Sequence, residues 1–157
     1  MLPHRHIVYG FLAALALYLI FPAIGLLEFS LIFLASFLVD VDHYMSYVWK
    51  TGNPSLPKAY RYLVKKRQDF INLSFKQRKQ YLKAYKRNIF IFHGMEFILF
   101  LIILSLFYPL IFWVIIGVTI HLLIDFHELM GLKINLLSKM SQIYVYFDNK
   151  GKKYEAI

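Results

Sequence analysis

Residues able to ligate a metal interrupt the apolar stretches of this chain, and each interruption stands near the end of a stretch. His6 opens the first, Asp40, Asp42 and His43 close the second, His93 and Glu96 open the third, and His121 and Asp125 close the fourth. Imidazole and carboxylate in combination suit a divalent cation, and the absence of cysteine leaves nitrogen and oxygen as its ligands. Residues three or four apart share a helix face, which pairs Asp40 with His43, His93 with Glu96, and His121 with Asp125. Asp42 joins Asp40 only if the helix loosens at its end. His4 is as reachable as His6 from the first helix, while His127 and Glu128 lie beyond the last apolar turn and read as solvated.

The carboxylates add an energetic argument. Asp40 and Asp42 fall at the expected C-terminal end of the second helix, and Asp125 and Glu128 at that of the fourth, where unpaired carbonyls already make a partial negative charge. An aspartate at mid-helix depth in a bilayer costs about 2.5–3.5 kcal/mol on insertion scales, less toward the interface. A compensating cation relieves both. Asp40, Asp42, Glu96 and Asp125 supply four negative charges, so two divalent ions balance them, and one ion with protonated neighbours fits almost as well. Zinc is the first choice; manganese or iron is admitted, and magnesium if histidine takes a smaller share. Taken singly, each residue has an ordinary reading: a packed histidine, a Glu96 paired with a loop lysine, an Asp125 reaching for water. Their coincidence on one face favours the metal.

Apolar helices must position these residues. Of 157 residues 59% are hydrophobic, and the mean hydropathy is +0.54, above the range of an ordinary soluble domain. The pattern predicts an all-α integral membrane protein of one domain, a four-helix transmembrane bundle with spans at 7–21, 24–39, 89–107 and 109–126. The first two are short for a hydrocarbon core that needs ~20 residues, so whether they cross fully is open. The first lacks a following cleavage site and reads as a retained anchor. Lys and Arg set the orientation. Arg5 precedes the first span, twelve basic residues lie from Lys50 to Arg87, and Lys133, Lys139, Lys150, Lys152 and Lys153 follow the fourth. With four spans all 18 share one side, which places both termini and the central loop in the cytoplasm of a multi-pass inner-membrane protein.

Loop 50–88 sets twelve basic residues against Asp69 alone, so its net charge is 12 − 1 = +11. Ser55 and Pro57 predict a helix over 57–67, and Ser74 with Gln77 has the spacing of a capping box. The second helix, with Phe75, Leu82, Tyr85 and Ile89 on one face, is expected to lie on headgroups and run into the third span. Anionic membrane lipid is the expected partner of this belt, with nucleic acid disfavoured and a homo-oligomer left open. In the tail 128–157, Ile143–Phe147, the turn at Asp148–Gly151 and the final residues read as a small hairpin or a frayed end.

At the ligand positions the chain resembles the YdjM-type (LexA-binding) inner-membrane metal-dependent hydrolases. The matching stretches are His6-Ile7-Val8-Tyr9-Gly10, Val39-Asp40-Val41-Asp42-His43, His93, and His121-Leu122-Leu123-Ile124-Asp125. It departs from that pattern in Val39, which replaces a proline, in the setting of His93, and in Phe126-His127-Glu128 after Asp125; Glu96 is the candidate substitute ligand. The resemblance implies a metal-dependent hydrolase without fixing its substrate. A metal centre beside a +11 surface favours anions, so a phosphoester or pyrophosphate, as phospholipid, lipid-linked or small phosphate, is the expected substrate, with Asp42 or Glu96 as catalytic base. The alternatives are a non-enzymatic scaffold using the basic loop and a metal-binding or transport protein.

Overall fold

The computed structural model describes residues 3–132, 135 and 137–153, and among them every regular element is a helix and no strand occurs. α1 (Pro3–Ile20) and α2 (Leu26–Leu38) form an antiparallel pair joined at Phe21–Gly25. α3 (Val41–Thr51), α4 (Leu56–Asn72) and α5 (Phe75–Ala84) carry the basic loop. A 3-10 turn (Ile91–His93) leads into α6 (Met95–Ser105), followed by α7 (Ile111–Leu132), α8 (Leu137–Met140) and α9 (Gln142–Asp148). α7 is the hub, packed on α1, α2 and α6.

Small residues let these helices approach. A Cβ on Gly117 would strike the Ile32 carbonyl oxygen and come within 2.7 Å of the Ala35 Cβ, and a Cβ on Gly10 would strike Ser36. Close backbone approach of this kind gives dispersion contact where solvent exclusion contributes little, as between helices in lipid. Two apolar clusters flank the crossing. Ala14, Ile24 and Ile32 fill the space between α1, α2 and α7, while Val39, Ile98, Leu101, Val118 and Leu122 join the end of α2 to α6 and α7.

Element bounds differ from the sequence reading at the candidate site, between α5 and α6, and in the tail. α2 ends at Leu38, and Asp40 stands before α3, whose first turn holds Asp42. The carboxylates thus begin a helix, where the dipole favours them, instead of ending one. α7 runs six residues past the expected end of the fourth span, so Asp125 is a buried mid-helix residue. α5 stops at Ala84 and does not continue into α6; residues 86–90 are without regular structure, and the 3-10 turn follows. Ile143–Phe147 lies in α9, capped by Ser141, not in a hairpin, and residues 154–157 of that expected hairpin lie outside the described residues. The capping box holds: Ser74 Oγ accepts from Gln77 N and Gln77 Oε1 from Ser74 N.

α7 is long and apolar enough to cross a membrane. At 1.5 Å per residue the 13 residues of α2 and the 11 of α6 span only about 20 and 17 Å. α1 and α6 expose large apolar side chains, among them Leu12, Leu19, Leu99, Phe100 and Ile103.

Candidate metal centre

Four parts of the chain converge where α2 ends and α6 begins. His6 comes from the first turns of α1, Asp40 and His43 from the α2–α3 break, His93 from the 3-10 turn, and His121 and Asp125 from successive turns of α7. They form three overlapping triads, His6–Asp40–His121, Asp40–His43–His93 and His93–His121–Asp125, each with its ligand atoms within 4.8 Å of one another. His6, His93 and His121 have no exposed surface and Asp125 has 2%.

The ring nitrogens are aimed by partners behind them. His121 Nδ1 lies 2.9 Å from the Ser36 carbonyl oxygen, and His93 Nδ1 lies 3.0 Å from Asp42 Oδ2. Both partners are acceptors, so in each ring Nδ1 carries the proton and Nε2 is left with a lone pair. Those two Nε2 atoms face each other at 3.1 Å. Two neutral imidazoles so placed repel unless a positive charge, proton or metal, lies within reach of both.

Carboxylate oxygens close the same space. Asp40 Oδ1 lies 3.4 Å from His93 Nε2, 3.5 Å from His43 Nε2 and 3.7 Å from His121 Nε2. Asp125 Oδ2 lies 3.8 Å from His121 Nε2, and its Oδ1 lies 3.4 Å from His6 Nε2. All five are longer than a good hydrogen bond, which closes to ~2.7–3.2 Å. Ligands about 2.1 Å from a metal stand ~3.4 Å apart on a tetrahedron and ~3 Å apart as octahedral neighbours; the shortest separations here, 3.1 and 3.4 Å, match these, and the others are a few tenths of an ångström wider. His6 Nε2 and Asp40 Oδ2 are buried without a hydrogen-bond partner.

Two expected ligands are placed otherwise. Asp42 stands behind His93, also accepting from Phe92 N at 3.2 Å, and so positions a ligand. Glu96 is outside the ring: it accepts from Ser141 Oγ at 2.5 Å and from Gln142 N and Ile143 N at 3.2 Å, capping α9. The i,i+3 relation of His93 and Glu96 is lost because extended Gly94 separates the 3-10 turn from α6. Neither residue stands where a base would act on the ring's centre. With these changes the carboxylates facing that centre fall from four to two, Asp40 and Asp125. The open choice between His4 and His6 resolves to His6, since His4 Nδ1 lies 3.2 Å from the Tyr60 hydroxyl. His127 is exposed, and Glu128 pairs with Arg67. The Ser36 carbonyl is the contributor that sequence reasoning missed; a backbone acceptor leaves no trace in residue type.

Among the described residues, fold and site together define an all-helical protein with one helix long and apolar enough to cross a membrane and a buried His/Asp cluster that could hold a metal ion. Among known proteins, no family model, no curated protein and no solved structure matches the chain.

Proposed function

We propose that the chain is a membrane-embedded metal-dependent hydrolase acting on phosphoester or pyrophosphate bonds, held by α1, α2, α6 and α7 as a four-helix bundle in the inner membrane. The observation that carries this reading is the convergence of the His93 and His121 Nε2 lone pairs, 3.1 Å apart, within a ring closed by His6, His43 and two carboxylates. Neutral imidazoles with Asp40 and Asp125 balance one divalent cation, and a nitrogen-rich set favours zinc, with manganese or iron next. Such a cation would polarise a phosphoryl oxygen and acidify water for attack on phosphorus.

This chain's residues supply the rest. Asp42 and the Ser36 carbonyl hold the His93 and His121 tautomers, and burial of the ring limits competing water. The ester oxygen leaves with a proton as the alcohol, and the water oxygen stays on phosphorus. Support for the membrane comes from α7 and from the apolar side chains exposed on α1 and α6. Lys58, Arg61, Lys65, Lys76, Lys79 and Lys83 are exposed on α4 and α5, a surface for anionic lipid that also gathers anionic substrate. The resemblance to the YdjM-type hydrolases points the same way.

The test is phosphate release from lipid phosphates and pyrophosphates by the protein in nanodiscs. Release that stops on chelation and returns with zinc or manganese is expected, and Asp125→Ala should remove it. A lipid-phosphate panel left intact by metal-replete protein would contradict the reading.

A further inference from the structure

Beside the metal ring lies a cavity of about 390 Å³ between the α2–α3 break and α4, with Phe37, Val41, Tyr44, Ala59 and Leu63 in its wall. Leu56 and Tyr60, both exposed, also line it. Asp40 is the one charged residue of that wall, and it also belongs to the ring. The tyrosines offer little polarity, because the Tyr44 hydroxyl donates to the Pro54 carbonyl at 2.7 Å and the Tyr60 hydroxyl lies 3.2 Å from His4 Nδ1. A sugar or nucleobase would find its polar groups unmatched there. A hydrocarbon chain would not.

We infer that this cavity receives the single hydrocarbon tail of a lipid phosphate whose headgroup meets the metal ring at Asp40, an assignment that rests on the hydrolytic reading for the headgroup alone. The volume lies in the range of small-molecule sites, ~300–1,000 Å³, and holds roughly a dozen water-sized groups, enough for one chain. The basic face of α4 and α5 complements the anionic head of such an amphiphile. Tail length then sets specificity: each methylene buried contributes roughly fourfold to binding, until the cavity is full.

The test uses a twelve-carbon alkylphosphonate with a terminal diazirine, photolysed with metal-replete protein in phosphatidylcholine nanodiscs and mapped by mass spectrometry. Adducts on Tyr44, Ala59 or Leu63 are expected, and they should disappear in Ala59→Phe. Because Ala59 is only 2% exposed, Leu63→Trp, at a partly buried position, provides a second block with less risk to folding. Adducts confined to lipid-facing Leu99 and Ile103, equal in wild type and both variants, would overturn the inference. Turnover of dodecyl and ethyl phosphate separates the two claims. Cavity labelling with hydrolysis of neither phosphate removes the hydrolase and keeps the tail cavity. Hydrolysis of both at equal kcat/KM without cavity labelling keeps the hydrolase and removes the tail cavity; an at least 100-fold preference for dodecyl phosphate, lost in Leu63→Trp, supports both.

Discussion

His93 is held from both sides: its Nδ1–H donates to Asp42, and its Nε2 faces His121 Nε2 and Asp40 Oδ1. Residues that orient a metal-bound imidazole typically change metal affinity by about 10–100-fold when altered, while the ligand stays in place. Asp42→Asn should therefore weaken zinc binding by about that factor in competition with a chromogenic chelator. Glu96→Gln should leave zinc affinity unchanged and lower stability by about 1 kcal/mol through its lost contacts with α9; a large loss of zinc from Glu96→Gln would put that residue back in the site. The clustering of side chains was largely legible in the sequence, since His6, Asp40, His43, His93, His121 and Asp125 all lie in the three triads. The roles of Asp42 and Glu96 were not, because helical spacing assumes an unbroken helix and the chain breaks at Val39–Asp40 and at Gly94.

Helix–helix distance decides whether the ring closes. Gly117 lies one turn before His121 and against the α2 backbone at Ile32, one turn before the Ser36 carbonyl that orients that imidazole. A side chain at this point forces α2 and α7 apart. Gly117→Leu is expected to lower the thermal midpoint, overpacking typically costing about 1–3 kcal/mol, and to reduce bound metal although no ligand is changed; retention of full metal content would show that the crossing does not set the site. Among the elements, the apolar runs and the Ser74–Gln77 capping box could be read from local pattern. The end of α2 was read to within a residue, at 39 against Leu38, but its immediate restart as α3 at Val41 was not, as neither Val39 nor Asp40 is a helix breaker by type. α9 was misread for a related reason: the alternating Ile143-Tyr144-Val145-Tyr146 pattern fits a strand, but the Ser141 cap and Glu96 contacts from α6 settle it as a helix.

For the whole molecule, helix length and charge together describe the membrane relation. α2 and α6, about 20 and 17 Å long, are too short alone for a hydrocarbon core of ~30 Å, and the ring sits where α2 ends and α6 begins, next to the start of the basic α3–α5 region. The proposed bundle therefore places its chemistry below the cationic face, reachable by a lipid phosphate from that side. The chain has no cysteine, so single cysteines report topology cleanly. In intact spheroplasts an impermeant maleimide should label Tyr108→Cys, in the exposed α6–α7 turn, and should reach Lys79→Cys only after permeabilisation; the reverse pattern would invert the orientation. Charge asymmetry is the sequence feature on which this proposed orientation rests, whereas the depth of the ring depends on helix ends that composition does not mark. The most direct test of the account is metal content by elemental analysis of wild type, Asp40→Ala/Asp125→Ala and Glu96→Gln, each purified in nanodiscs and checked for helicity by circular dichroism. The account predicts about one equivalent of a divalent transition metal in wild type, the same in Glu96→Gln, and none in the still-helical double variant. Wild-type protein that holds no metal after reconstitution with zinc, manganese or iron would contradict it.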